Sequence, residues 1–225
     1  MRQRIIIICE GQTEREFCCK LLTPYFSERD IGIQCPLIKN SKGGIVKWDV
    51  LKDQVEKHLK EDRTAIVTTL IDYYGIEARH GFPRWEEGEN IGDKNQRMSF
   101  LEEAMKAEIE SELNWRFIPY IQLHEFEGLL FNRIEVFESQ FTPEEILHKE
   151  ELIQTFNDFD NPEMINSGRT TSPGHRLKRI IKGYNKVVYG ICLAEAIGID
   201  NMKNKSPRFR QWIERLISNS PNRMP

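Results

Sequence analysis

Ile5-Ile6-Ile7-Ile8-Cys9-Glu10-Gly11 is the stretch on which the fold turns. Four consecutive β-branched residues leave no polar face to alternate with. The run therefore reads as a strand buried on both sides, as in the middle of a parallel sheet. A carboxylate closes the strand and a glycine breaks it. An acid at the end of a buried strand needs partners, so Glu10 is the first candidate for a functional site. Gly11 lets the backbone turn sharply beside it.

Outward from this strand, Gln12 to about Phe26 has helical periodicity, with Phe17, Leu21 and Leu22 on one side. Thr13 and Glu16 fit a capping box. Residues 31–38 read as a second strand, and Pro36 suggests an edge position. Residues 48–60 form an amphipathic helix. Residues 64–71 are another buried strand, and it ends at Asp72. From Tyr73 to about Gln96 the pattern dissolves into Gly, Pro, Trp and charge, an insertion long enough to suggest function. A helix follows over 97–113, then a strand over 116–123 that ends at His124-Glu125-Phe126-Glu127. Beyond residue 124 the chain reads as helix or loop. This order predicts an α/β fold: a mainly parallel sheet flanked by helices, with a mostly helical C-terminal part. The expected division is a core over 1–131, with the insertion near 73–96, and a basic helical subdomain over 132–225 packed on it.

Hydrophobic residues make up 39% of the 225 and charged residues 30%, an ordinary balance for a chain with a real core. No apolar run approaches the ~20 residues of a membrane helix, and no signal-peptide pattern opens the chain, so the expected compartment is the cytoplasm. The cysteines Cys9, Cys18, Cys19, Cys35 and Cys192 match no zinc spacing and read as reduced core or near-core thiols. Charge is unevenly spread. Residues 165–225 carry twelve Lys/Arg against three acids, a net +9 that leaves −12 for the rest of the net −3 chain. An acidic body with a basic C-terminal third fits a carboxylate site beside a surface that meets polyanions. A solvated basic face that binds nothing explains the charge equally well.

Parallel strands deliver their C-terminal ends to one edge, and three here end at acids: Glu10, Asp72, and Glu125 with Glu127. Clustered carboxylates resist ionisation, and a divalent cation relieves the repulsion. Oxygen-only ligands favour Mg2+ or Mn2+, and such ions typically act on phosphates. Phosphoryl chemistry, plausibly phosphodiester cleavage, is the reading that follows. Glu14, in the first helical turn, is a further possible ligand. P-loop, dinucleotide-binding, zincin and nucleophile-elbow motifs are absent; Gly128 stands where a zincin helix needs its second histidine. His58, His80 and His148 read as surface residues. Trp48, Trp85, Trp115 and Trp212 read as packing residues rather than base-stacking platforms.

Glu10-Gly11-Gln12-Thr13-Glu14 after its strand resembles the opening motif of Toprim-type nucleases. Asp72-Tyr73-Tyr74-Gly75 occupies the place of their second motif, and Phe126-Glu127 with Gly128-Leu129-Leu130-Phe131 resembles the later acidic motif of the OLD-type members. Nearly the whole chain is similar to the bacterial DUF4276 proteins. That similarity also takes in the Gly43-Gly44 loop, the block Ile118 to Phe131, Arg176-Leu177, Tyr184-Asn185-Lys186 and Pro207 to Trp212. The resemblance implies a Toprim-like fold and a nuclease of anti-phage systems, working with an AAA- or ABC-type ATPase. It makes Glu10 a metal ligand or general acid/base, Asp72 a ligand, and Glu127 the later acid with Glu125 beside it. Arg176, Lys178, Lys182, Tyr184 and Lys186 are the candidate nucleic-acid contacts, and a homo-oligomer is possible. The chain departs from the pattern twice. Tyr74 stands where the second motif usually has its second Asp, so that ligand is missing unless Glu125, Glu127 or Glu14 substitutes. His175 stands where a Pro-Ser-Lys-Arg type of run has its lysine. A non-catalytic subunit that binds nucleic acid, nucleotide or an ATPase therefore remains open, as does a phosphatase or phosphotransferase acting on small phosphates.

Overall fold

The computed structural model describes residues 3–41, 44–165, 168 and 170–219. Among them a five-stranded sheet has its strands paired in parallel, in the order β2-β1-β3-β4, with β5 continuing beside β3. Strand β1 is Gln3–Cys9. The helical run after it comprises α1, Gln12–Phe17, a π-helical turn at Cys18–Leu22, and α2, Thr23–Ser27. Strand β2, Ile31–Gln34, is followed by α3, Trp48–Glu61, and β3, Ile66–Asp72. Helices α4, Trp85–Glu89, and α5, Lys94–Ala107, lead to the two-residue strands β4, Phe117–Ile118, and β5, Ile121–Gln122. Among the described residues six helices follow: α6, Ile134–Gln140; α7, Lys149–Asp158; α8, Pro173–Ile180; α9, Tyr189–Ile197; α10, Ile199–Lys205; and α11, Pro207–Ser218. No helix among the described residues is long and apolar enough to cross a membrane.

The isoleucine run is central, as its two apolar faces demand. Ile5, Ile7 and Cys9 enter a core shared with α1, α2 and the C-terminal helices, whereas Ile6 and Ile8 enter a second core with α3 and α5. Strand β2 lies at the edge but stops at Gln34; Pro36 falls just past it. The expected strand over 116–123 is broken in two. Pro119 has no N–H to give to a ladder, and two buried threonines of β3 bridge the gap. Thr69 Oγ1 accepts from Tyr120 N at 3.0 Å, and Thr68 Oγ1 donates to Ile118 O. Thr68 Oγ1 also accepts from Trp212 Nε1 of α11 at 2.9 Å. The Trp212 indole stacks on Tyr120, with centroids 4.5 Å apart and planes 7° from parallel.

Several local expectations need correction. The capping box does not form. Gly11 is the N-cap, so Thr13 falls inside the first turn, and Glu16 Oε1 instead accepts from Gln12 Nε2 at 2.6 Å. The single expected helix to Phe26 carries a π turn. Pro24 supplies no N–H to the turn before it, and Thr23 bonds Cys18 O through both its N–H and its hydroxyl. The helix expected at 97–113 begins earlier, at Lys94, where Asp93 accepts from Gln96 N. Trp115 is exposed, although Trp48, Trp85 and Trp212 are buried. Cys19 and Cys192 are exposed rather than core thiols. Gly43 lies outside the described residues, and a side chain at Gly44 would meet nothing within 4 Å.

Candidate acidic site at the sheet edge

Glu10 and Asp72 are fixed by backbone at the ends of their strands. Cys9 N donates to Pro36 O and Glu10 N to Leu70 O, so Glu10 leaves the sheet in register with β3. Its Oε2 accepts from Asp72 N at 2.8 Å. Asp72 Oδ1 in turn accepts from Phe126 N at 2.9 Å, and Tyr74 N donates to His124 O at 3.0 Å. The 3-10 turn Phe126–Leu130 carries Glu127, which is buried. Glu125 Oε2 accepts from Gly174 N at 2.8 Å, at the start of α8. A carboxylate there satisfies an orphan helix N–H and faces the positive end of the dipole. Replacing Glu125 with Ala removes that cap and is expected to cost about 1 kcal/mol, read by urea denaturation; no loss of stability would show that water replaces it.

Glycines let backbone close in on these acids. A Cβ at Gly75 would sit 3.3 Å from Glu10 Oε1, one at Gly11 3.0 Å from Glu14 Oε2, and one at Gly174 3.3 Å from Glu125 Oε2 and 3.5 Å from Glu127 Oε1.

The electrostatics are those of crowded, partly desolvated carboxylates. Burial pushes the Glu10 carboxyl up to about 7; the Asp72 N–H and Lys186 oppose this, and Glu14 and Glu127 add to it. Burial also pushes Glu127 up to about 7, against Lys186 and with Glu125 and Glu14. Asp72 is held well above the usual carboxylate range by burial and by Glu14, Glu10 and Glu127. Burial acts to lower the Lys186 ammonium, yet Glu127, Glu14, Asp72 and Glu10 together hold it above its ordinary value. Lys186 is thus a cation of the acidic site, although it is an exposed residue.

A raised carboxyl binds protons in the folded state that the unfolded chain has already released. Stability is therefore full below the unfolded pKa and is lost as pH rises through the folded one. Between about pH 4.5 and about pH 7 the unfolding free energy is expected to fall, through Glu10 and Glu127. Urea melts across that window check this; a rise would mean that the acids are not crowded in solution.

Glu10, Glu14, Asp72, Glu127 and Lys186 come together, with Glu125 alongside. Glu14 Oε1 is buried with no hydrogen-bond partner among the described residues. An all-oxygen, under-neutralised donor set with an orphaned carboxylate oxygen fits a hard divalent cation in charge and chemistry. No group of three or more His, Cys, Asp or Glu among the described residues is gathered closely enough to hold an ion, so binding would require these side chains to draw in. Tyr74 is 42% exposed and adds no carboxylate.

Part of the C-terminal charge is spent within the fold. Arg176 and Arg179 pair with Glu151, Arg208 with Glu102, and Lys203 with Asp200. Lys178 and Lys182 are exposed. Tyr184 is half-buried and its hydroxyl has no partner among the described residues. Burial, with Glu127 and Glu125, raises its pKa. One pair escapes sequence reasoning. Buried His124, at φ +65°, takes a hydrogen bond at Nε2 from Lys94 Nζ, 2.9 Å away. Burial, Lys94 and Arg97 push the imidazole down to about 4, so it is neutral and accepts. No spacing signal links residues that meet only through the left-handed turn at His124.

Fold and site together define an α/β protein with an acid cluster at the carboxyl edge of a parallel sheet. The chain belongs to the family described as a domain of unknown function, DUF4276, whose model matches residues 9–217. No curated protein and no solved structure matches it.

Proposed function

We propose that this protein is a Mg2+- or Mn2+-dependent nuclease with a Toprim-like core, cleaving nucleic-acid phosphodiesters in bacterial anti-phage defence. The observation that carries the reading is the cluster of Glu10, Glu14, Asp72 and Glu127, four acids faced by one lysine. Glu10, Asp72 and Glu127 would hold the ion, with Glu14 and Glu125 completing the set. When bound, the ion supplies neutralisation of phosphate charge and a lowered pKa for water. The Glu10 carboxyl, near 7, can take or give a proton at neutral pH. Lys186 stands where a phosphate could exchange for the acids it now faces, and exposed Lys178 and Lys182 extend the positive surface. The resemblance adds an ATPase partner, and a homo-oligomer is compatible with it. Purified protein incubated with Mn2+ and DNA or RNA, alone and with a candidate ATPase partner, tests the proposal; no cleavage in any combination sinks it.

Two observations favour a second reading, a non-catalytic nucleic-acid-binding or regulatory subunit. Lys186 already offsets part of the acidic charge, and Tyr74 supplies no second carboxylate. Calorimetric titration separates the two, since this reading expects no Mg2+ or Mn2+ binding that depends on Glu10 and Asp72.

A further inference from the structure

Lys94 is a half-buried cation held by a neutral partner rather than by an acid. It is the first residue of α5, and its Nζ lies 2.9 Å from Nε2 of His124, which is only 2% exposed. An ammonium donates and cannot accept, so Nε2 accepts, the ring is neutral, and its proton sits on Nδ1. That atom is buried with no hydrogen-bond partner among the described residues. Arg97 follows on the same side of α5. Its guanidinium donates to Ile91 O at 2.8 Å and to Tyr73 Oη at 2.9 Å, and Tyr73 packs on Trp85 with ring centroids 5.4 Å apart. Neither Lys94 nor Arg97 makes an ion pair among the described residues. Asp93, beside Lys94 in sequence, is turned instead to cap Gln96 N at 2.8 Å.

This cationic corner adjoins the acidic edge residue by residue. Tyr73 follows Asp72, and His124 precedes Glu125. Tyr74 N donates to His124 O at 3.0 Å and ties the two strand ends together. The left-handed turn at His124 lets its ring meet α5 while the next carboxylate, Glu125, reaches Gly174 N of α8. Helix α5 packs on the face of the sheet that carries Ile6 and Ile8, and α8 on the opposite face. Acids and unpaired cations therefore flank the same strand ends.

We propose that Lys94 and Arg97 receive a backbone phosphate of the nucleic acid, next to the phosphate held at the acids. The substrate in this proposal rests on the nuclease reading. An anion here offsets two like charges that the fold leaves uncompensated. His124 positions Lys94 without cancelling its charge, which a carboxylate in its place would do. Lys94 and Arg97 are half-buried rather than sealed, so a phosphate can reach them. A strand engaging both groups runs over the end of β3, so the site selects a chain of nucleotides over a small phosphate ester.

The test reads binding of a labelled duplex DNA and a labelled single-stranded RNA by fluorescence anisotropy, in EDTA and again with Ca2+. Lys94→Gln keeps a donor for His124 and removes the charge. It should weaken binding about tenfold near 0.1 M salt and flatten the slope of log K against log salt by about 0.9 on duplex or about 0.7 on single strand, the loss of one phosphate contact. Lys106→Gln, further along α5, is the control and should leave the slope unchanged. Cleavage by the unaltered protein with Mn2+ is scored separately. Its absence beside a Lys94-dependent slope counts against the nuclease and supports the phosphate site; its presence beside an unchanged slope does the reverse. Should Lys94→Gln fail to fold, acetylation of the unaltered protein must show Lys94 shielded by bound nucleic acid. Equal labelling with and without nucleic acid, an equal loss in Lys106→Gln, or no binding of either probe overturns the proposal.

Discussion

Glu10→Gln is expected to reduce metal-dependent cleavage by roughly 10²–10⁴-fold, the usual worth of a positioned acid or base, while making the metal-free protein more stable above neutral pH. The two effects share one cause. Glu10 is held by Asp72 N and crowded by Glu14 and Glu127. An amide keeps the hydrogen bond through its oxygen but carries no charge to repel its neighbours. The gain should be on the order of 1–2 kcal/mol at about pH 8, discounted for solvent screening at a partly exposed group, and should shrink near pH 5. Asp72→Asn should behave alike, since its oxygen still accepts from Phe126 N. Cleavage assays with Mn2+ and paired urea melts decide the matter. Full activity in Glu10→Gln removes the carboxylate from the mechanism, and lost stability at every pH would make Glu10 a structural residue.

Arg208→Ala should be the most damaging single change to stability, at about 3–5 kcal/mol, because it strands a buried charge. Glu102 and Arg208 are both buried and pair across the junction of α5 and α11. Burial raises the Glu102 carboxyl against Arg208 and a backbone hydrogen bond. Glu102 Oε1 also accepts from Ile121 N at 2.9 Å, so the pair fixes β5 as well as α11. Glu163 accepts from Arg208 N and Phe209 N and holds the same helix start. Replacing both partners, with Glu102→Met and Arg208→Met, should recover most of the loss, since two apolar chains leave no stranded charge. Chemical denaturation reads both variants, and a single-variant cost below about 1 kcal/mol would show that water enters the junction.

Strands β1 and β3 were legible because a strand buried on both faces shows no polar alternation, and Ile5–Ile8 and the run from Ile66 to Ile71, interrupted only by the β-branched Thr68 and Thr69, fit that. Their final acids stood out against the same background. The split of β4 from β5 was not legible, because it depends on Thr68 and Thr69 supplying hydroxyls from another strand. The start of the helical run at Gln12 was legible, whereas the π turn at Cys18–Leu22 within it was not. Lys186 could be singled out as a cation, but not placed among acids far from it in sequence. The Lys94–His124 pair required a left-handed residue that no local pattern marks.

The hydrogen bond from Trp212 to Thr68 spans 144 positions, and this bears on how the protein is made. Thr68 lies in β3, the strand that carries Asp72, and its hydroxyl reaches the partner that completes its environment only after α11 has been synthesised. Long-range closures of this kind are slow steps in folding. While the chain is still on the ribosome, one face of the sheet lacks its cover and the acids above it lack their final support. The acidic edge thus gains its last support only once the final helix is in place.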